Sequence, residues 1–180
     1  MIDIEALFGP LAITASLVVD HDGRTNGPDG TSKSLGGEVD LELLKAFRRN
    51  AGAVLTTGRT ARVENYKLPS SAELFVLSRK PRHTLPSAIR GTSVKILGPS
   101  SIATPEAAVD YISALGYEKL HVECGPQTLM ELMSSRVPMR LFVSSDSELG
   151  ARKFSEANKL ALGLSEIIEY LHVTEVAGRA

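Results

Sequence analysis

The stretch that says most about the fold is LHVECGPQTL, which covers Leu120–Leu129. Its first four residues favour a β-strand, Gly125 permits a tight turn, and Pro126 is typical of the first position of a helix. A strand that leads directly into a helix is the repeating unit of α/β folds. The free backbone N–H groups and the positive end of the helix dipole would then face the carboxyl edge of the sheet, where they suit a phosphate or pyrophosphate. An ordinary strand–turn–helix connection is the alternative interpretation.

On both sides of this stretch, apolar β-forming runs alternate with amphipathic helical segments. The predicted strands are Leu11–Val19, Ala53–Thr57, Glu73–Leu77, Val94–Leu97, Lys119–Glu123 and Leu141–Ser145. The predicted helices are Val39–Asn50, a segment from an N-cap at Thr104 to Leu115, and Pro126–Ser135. The remaining segments are predicted as two loops, Asp20–Gly37 and Arg59–Ser71, and a long antiparallel final strand over Glu166–Val176. This alternation predicts an α/β fold with a sheet covered on both faces.

The composition narrows the class of protein. The chain has 180 residues, of which 43% are hydrophobic, and a formal net charge of −1. This length suits one domain, and the near-zero charge gives no support for nucleic-acid binding. The apolar run Leu11–Val19 is about half the length that spans a bilayer, and the amino terminus is acidic rather than basic. We therefore expect a cytoplasmic protein without membrane association.

Cysteine and histidine offer little for metal or nucleophilic chemistry. The chain has one cysteine, Cys124, which excludes an internal disulfide framework and a multi-cysteine zinc site. His121-x-Glu123 matches the first half of the zinc-deaminase motif, but the Pro-Cys-x-x-Cys half is absent. We expect no metal, and we expect His121 to be a packed or surface residue of its strand. Cys124 is a weak nucleophile candidate because His121 would lie on the opposite face of that strand.

Three further segments are candidates for binding. Thr60 and Glu64 lie four residues apart, so one helical turn would place both on the same side, near ribose or phosphate oxygens. A capped surface turn is the alternative. The loop 20–37 is rich in glycine and hydroxyl groups, as substrate-covering loops often are. The basic cluster Ser78–Arg82 would recognise the extra phosphate of a phosphorylated dinucleotide, or is solvated loop charge.

In their order and spacing, these segments resemble the reductase domain of riboflavin biosynthesis, the C-terminal half of the bacterial bifunctional pyrimidine deaminase/reductase. The motifs that carry the resemblance are Asp22-Gly23-Arg24, Gly30-Thr31-Ser32, Phe47-Arg48, Gly58-Arg59-Thr60 with Glu64, and Glu123-Cys124-Gly125-Pro126. The resemblance implies a dihydrofolate-reductase-like fold, which is a central mixed, mostly parallel sheet flanked by helices, with antiparallel C-terminal strands. It also implies that residues 1–180 form a single reductase-like domain and that the deaminase domain is absent.

The resemblance also assigns roles to residues at the matched positions. It implies NADPH as the cofactor, contacted by Val18, Ser34, Thr60, Glu64, Ser78, Arg79, Gly125, Pro126, Gln127, Thr128, Leu129, Met130 and Glu131. It implies that the substrate is contacted by Ser32, Arg48, Leu68 and Glu123. Glu123 is also the candidate catalytic residue, because it is the first ionisable group to test as a proton donor.

The implied activity is that of a 5-amino-6-(5-phosphoribosylamino)uracil reductase, in which a hydride passes from NADPH to the ribosylamino sugar carbon. Its substrate is a small molecule, a ribosylamino-pyrimidine phosphate or a similar compound. Two alternatives stay open, a non-catalytic nucleotide-binding relative and a reductase of another pteridine- or pyrimidine-like substrate such as dihydrofolate. The resemblance further implies a homodimer that pairs through the C-terminal segment Glu166–Val176.

Overall fold

The computed structural model of the chain describes residues 1–91, 93–100 and 102–178. The strands are β1 Ile13–Val18, β2 Ala53–Thr57, β3 Glu73–Leu77, β4 Lys95–Leu97, β5 Leu120–Glu123, β6 Met139–Ser145, β7 Leu160–Ile168 and β8 Leu171–Gly178. The helices are α1 Ile4–Phe8, α2 Lys33–Asn50, α3 Gly58–Val63, α4 Pro105–Ala114, α5 Pro126–Met133 and α6 Glu148–Asn158. The predicted domain 1–180 also includes residues 92, 101, 179 and 180, which lie outside the described residues.

All eight strands form one sheet in the order β4-β3-β2-β5-β1-β6-β8-β7. The first six strands in this order are mutually parallel, whereas β8 is antiparallel to both β6 and β7. The predicted mixed, mostly parallel sheet with antiparallel C-terminal strands is therefore confirmed. Because β2, β5 and β1 are adjacent and parallel, their carboxyl ends meet at the middle of one sheet edge.

The two faces of the sheet are packed differently. On one face, a single large cluster joins the sheet to α4, α5 and α6, with Ile112, Leu129 and Phe154 among its buried side chains. On the opposite face there are two separate clusters. One joins α1 and α2 to β6 and β8 around Phe142, and the other joins α3 to β2 and β3 around Leu74. Between these two clusters, β1 and β5 present polar side chains, which we call the polar seam: Thr14, Ser16, His121 and Glu123.

The segment before α2 differs from the predicted loop 20–37. Helical structure begins at Lys33, and Gly37 interrupts it with a φ of 66°, in the left-handed region that glycine tolerates well. Apolar periodicity did not predict this first helical turn, because Gly36 and Gly37 carry no apolar side chain to mark it. The predicted loop 59–71 likewise begins with a short helix, α3, whose amino end is capped by the side chain of Thr57.

The C-terminal prediction was wrong in its number of strands. The segment 166–176 belongs to a hairpin of β7 and β8, and Glu169 in its turn has a φ of 57°. A register shift between Leu162 and Ser165 breaks the alternation of apolar and polar residues in β7, so periodicity does not reveal this strand. Helices α1 and α6 were also not predicted.

Candidate functional site

Glu123, the last residue of β5, is the centre of a buried charged cluster. Its carboxylate accepts two hydrogen bonds from Arg48, at 2.7 Å from Nε to Oε1 and 2.6 Å from Nη2 to Oε2. The Tyr66 hydroxyl donates a third to Oε2 at 2.5 Å, and the Arg48 guanidinium lies over the Tyr66 ring, 5.0 Å from its centroid. The predicted substrate residues Arg48 and Glu123 are thus brought together across the polar seam. Tyr66 was missed by the sequence analysis.

The charge state of Glu123 follows from these contacts. Burial opposes its negative charge, but the hydrogen bonds and the charge of Arg48 more than offset this, so the pKa of Glu123 lies below its usual value. Burial and the neighbouring carboxylate raise the pKa of Tyr66 well above its usual value, so Tyr66 remains a neutral donor. Glu123 is therefore a carboxylate at neutral pH. This geometry argues for an anchoring role and against the proton-donating role considered from the sequence.

Thr60 connects the two turns that the sequence analysis singled out. Its hydroxyl oxygen accepts from the Gly125 N–H at 3.1 Å and from the Thr57 hydroxyl at 3.0 Å, while its own N–H donates to Thr57 Oγ1 at 3.1 Å. The Gly125 N–H is therefore already used inside the protein. Pro126 has no N–H, and no side chain in the described residues caps the start of α5. Only the N–H groups beyond Pro126 are thus left to meet a phosphate.

Glu64 ties the loop before α2 to the end of α3. Its Oε1 accepts from the Ser32 N–H at 3.0 Å. A predicted cofactor residue and a predicted substrate residue are therefore in direct contact, as part of a link between α2 and α3. Ser34 lies in the first turn of α2, and a side chain on Gly27 would meet its hydroxyl.

The remaining predicted positions differ in accessibility. Ser78 is buried, and its hydroxyl bonds the backbone of Lys80 at the end of β3. A Cβ on Gly58 would approach Ser78 Oγ to 2.5 Å, so β3 and the start of α3 need glycine there. Arg79 and Leu68 are exposed, whereas Val18 is buried.

The residues predicted along α5 do not share one environment. Gln127 and Glu131 are exposed, and Thr128 and Met130 are partly buried. Leu129 is wholly buried in the core, so its side chain packs against the sheet rather than facing a cofactor. Only the first turn of α5 faces the carboxyl edge of the sheet, because the helix runs back toward the other edge.

A second carboxyl group, partly buried and not identified from the sequence, lies at the same edge. Asp40 of α2 accepts a hydrogen bond from the Ser144 hydroxyl of β6 at 2.5 Å. Burial raises the pKa of Asp40 above its usual value, although the Ser144 hydrogen bond partly opposes the rise. Ser144 pairs with Val18, a predicted cofactor position. No sequence motif marks Asp40. The one sequence feature that could have pointed to it is its position at the start of the predicted helix Val39–Asn50, next to the predicted substrate-covering loop 20–37.

The cysteine and the metal candidate are both placed inside the fold. Cys124 is buried and donates from Sγ to the Leu55 carbonyl at 3.8 Å, and burial raises the pKa of its thiol. His121 is fully buried, as expected for a packed residue. Among the described residues, no group of three or more histidine, cysteine, aspartate or glutamate side chains is arranged to hold a metal ion. None of the described helices is long and apolar enough to cross a membrane.

Comparison with solved structures supports the fold. A pyrimidine reductase-like protein from Corynebacterium diphtheriae superposes with a TM-score of 0.67 at 18% identity, over 98% of each chain. RibD from Acinetobacter baumannii superposes with a TM-score of 0.71 at 16% identity, over 98% of this chain but only 61% of RibD. Dihydrofolate reductase from Schistosoma mansoni superposes with a TM-score of 0.57 at 13% identity, over 92% of this chain and 96% of that enzyme.

Sequence comparison adds nothing to this. No protein-family model matches the chain, and no curated protein matches it significantly. At identities below 20% the structural likeness bears on the fold rather than on the activity. The chain has the dihydrofolate-reductase-like fold that these reductases share.

Proposed function

We propose that the protein is an NADPH-dependent reductase that transfers a hydride to the sugar carbon of a ribosylamino-pyrimidine, like the 5-amino-6-(5-phosphoribosylamino)uracil reductase. The observation that carries this proposal is the joining of two binding elements at one edge of the sheet. The uncapped start of α5 is linked through Thr60 to α3, and the Arg48–Glu123 cluster lies immediately before it on β5. A phosphate-binding helix start beside a polar cluster suits a dinucleotide next to a polar substrate.

The residues at this edge fit a phosphorylated dinucleotide. The first turn of α5 carries no acidic residue, so its dipole is not neutralised locally. Gly125 leaves room for a close approach, since a Cβ on it would come no nearer than 3.8 Å to its neighbours. Arg79 and Lys80 are exposed at the end of β3, two strands away from β5, and would meet the extra phosphate of NADPH.

On the substrate side, the protein positions polar groups rather than attacking covalently. NADPH supplies the hydride when it is bound. Arg48 and Tyr66 keep Glu123 ionised and fix its orientation. The outward-facing part of this three-residue cluster would then bind hydroxyl or N–H groups of a substrate. Ser32 and Leu68 would contact the same substrate. Asp40 retains a proton to higher pH than an exposed aspartate, so we assign it as the candidate proton donor.

Titration with NADPH and with NADH, followed by calorimetry, tests the cofactor assignment. We expect saturable micromolar-to-millimolar binding of NADPH and weaker binding of NADH. Exchange of Arg79 and Lys80 to alanine should remove most of this preference. Exchange of Lys45 and Arg49, exposed cations of α2 away from that edge, is the matched control. Absence of saturable NADPH binding in the wild type would refute the proposal.

A non-catalytic nucleotide-binding role is the second candidate. It is favoured by one observation: both carboxylate oxygens of Glu123 already have partners within the protein. This role predicts that NADPH binds but is not oxidised when the deaminated ribosylamino-pyrimidine or dihydrofolate is added. Steady NADPH oxidation with the first compound eliminates this role, and oxidation with dihydrofolate alone identifies a dihydrofolate-type reductase.

We also propose that the protein forms a homodimer through the β7–β8 hairpin. Strand β7 is an edge of the sheet and exposes Leu162, Leu164 and Ile167, each about half or more exposed to solvent. An unpaired strand edge that carries apolar side chains favours association with another chain.

A further inference from the structure

The proposed function assigns no role to His121, although both nitrogens of its ring have hydrogen-bond partners in the polar seam. The ring has no exposed surface and stacks on Phe47 with 4.9 Å between ring centroids and 3° between planes. Its Nδ1 lies 2.9 Å from the Thr14 hydroxyl oxygen, and its Nε2 lies 3.1 Å from the Ser16 hydroxyl oxygen. Both ring nitrogens therefore have hydroxyl partners, which are two residues apart on β1.

The imidazole is neutral at physiological pH. Burial lowers the pKa of His121 to about 4, and the neighbouring Arg48 charge acts in the same direction, while Glu123 acts against it. The 3.9 Å separation of Nε2 and Glu123 Oε1 is thus a charge–dipole contact rather than an ion pair. A neutral imidazole donates from one nitrogen and accepts at the other.

The surroundings select which nitrogen carries the proton. A lone pair on Nε2 would face the Glu123 carboxylate, whereas an N–H there is attracted to it. On the other side, the Thr14 hydroxyl is closer to Nδ1, at 2.9 Å, than to the Leu120 carbonyl, at 3.5 Å. The Glu123 contact favours the Nε2–H form, and the short Thr14 contact is compatible with it: Thr14 donates to Nδ1, and Nε2–H donates to Ser16.

This arrangement determines whether the Ser16 hydroxyl donates a hydrogen bond to a bound ligand or accepts one from it. In the Nε2–H form the Ser16 oxygen accepts from His121, so its hydroxyl hydrogen points away from the ring, and within the described residues it makes no other hydrogen bond. Ser16 is partly exposed and lies on the face of β1 that carries Val18 two residues later. Ala15 of β1 pairs with Val122 of β5. The following residues of the two strands, Ser16 and Glu123, are therefore neighbours across the two strands.

We propose that Thr14, His121 and Ser16 form a hydrogen-bond relay that fixes Ser16 as a donor to a carbonyl oxygen of an uncharged heterocycle bound at the carboxyl end of the polar seam. This inference rests on the proposed function and adds the basis of substrate selection to it. A site that donates a hydrogen bond discriminates against analogues that carry a donor at the same position. Ser16 is the contact, and His121 is a positioning residue that acts through it.

Two measurements test the relay. In the free protein, ¹⁵N NMR of the imidazole at pH 7 should show a protonated Nε2 and an unprotonated Nδ1 for His121; the opposite form, or a doubly protonated ring, would overturn the proposal. Calorimetry with 5,6-diaminouracil and with 2,4,5,6-tetraaminopyrimidine compares carbonyl with amino groups on one ring. We expect the wild type to bind the uracil about tenfold more tightly, in line with the loss of one well-formed hydrogen bond.

The variants separate this inference from the proposed function. Ser16→Ala should abolish the preference for the uracil and leave NADPH affinity unchanged, with a modestly lower thermal midpoint because the buried His121 Nε2–H loses its acceptor. Thr14→Val should shift the ¹⁵N signals of His121 and reduce the preference. If NADPH binds but Ser16→Ala keeps the full preference, or if the wild type binds neither pyrimidine, the relay is refuted and the cofactor assignment stands. If the preference depends on Ser16 but NADPH does not bind, the relay stands and the reductase proposal fails.

Discussion

At the scale of single residues, the fold shifts the pKa values of two carboxyl groups in opposite directions. Glu123 keeps its charge in the interior because a guanidinium and a phenol satisfy both of its oxygens. Asp40 has only the Ser144 hydroxyl, so burial favours its neutral form. Glu123 is a buried, ionised group, and the partly buried Asp40 holds its proton more tightly than an exposed aspartate does, so we propose the first as an anchor and the second as a proton source.

Removal of the Arg48 charge tests the first arrangement. Arg48→Met leaves a buried, unpaired carboxylate, which costs about 3–5 kcal/mol of unfolding free energy. Lys45→Met, which removes an exposed ion pair on the same helix, should change it by less than about 0.5 kcal/mol. The double variant Arg48→Met/Glu123→Gln should be more stable than Arg48→Met alone. Urea unfolding measures all three, and equal midpoints for Arg48→Met and the wild type would contradict the prediction.

The pH dependence of stability tests the second arrangement. Because the pKa of Asp40 is raised by folding, the folded state binds its proton more tightly than the unfolded state does. The contribution of Asp40 is therefore present below its unfolded pKa and is lost as the pH rises through its folded pKa. Asp40→Asn lacks this loss, so its stability should improve relative to the wild type as the pH increases. A difference between the two proteins that stays constant from acidic to neutral pH would contradict the prediction.

At the scale of elements, the start of α5 is held in place by a side chain of another helix. Thr60 of α3 accepts the Gly125 N–H, and this bond joins the β2–α3 turn to the β5–α5 turn. This bond ties the two turns together, so we expect the binding of a phosphate at α5 to depend on the position of α3.

Thr60→Val tests this coupling. Loss of the hydroxyl leaves the Gly125 N–H without its acceptor and should cost about 1 kcal/mol of unfolding free energy, with at least a severalfold loss of NADPH affinity. Thr104→Val removes the N-cap of α4, a bond to the Ala107 N–H, and should cost a similar stability without affecting NADPH. Equal NADPH affinities for both variants, measured by calorimetry, would show that the link does not position the cofactor.

At the scale of the whole molecule, the two edges of the sheet differ in length. The edge strand β4 has three residues, whereas the opposite edge strand β7 has nine residues and a run of exposed positions. Long exposed edges are normally blunted or paired, and Leu164 and Ile167 give this edge an apolar surface. We therefore propose this edge as the contact of the proposed dimer.

Light scattering at tens of micromolar should give the mass of two chains for the wild type. Leu164→Glu/Ile167→Glu should give the mass of one chain, because two buried charges without partners disfavour the interface. Leu115→Glu, at a similarly exposed leucine beyond α4, should remain dimeric. A wild-type protein with the mass of one chain at this concentration would refute the dimer.

The sequence by itself determined the strands and helices around the sheet edge. Apolar period, the Thr104 cap, Gly125 and Pro126 are local signals, and the elements they mark are present in the structure. Where local signals conflict, as at Gly37 and in the irregular strand β7, the prediction failed.

Only the tertiary structure decided which side chains meet. Glu123 bonds Arg48 and Tyr66 across 75 and 57 residues of chain, and Asp40 bonds Ser144 across 104. These contacts depend on β5 lying between β2 and β1, and on α2 crossing the face of β1 and β6. Strand order arises from the packing of the whole chain around its core. Local sequence patterns therefore do not predict which residues far apart in the chain will come into contact. The same packing buries His121 and so keeps it neutral, pairs Glu123 with Arg48 and so keeps it ionised, and raises the pKa of Asp40.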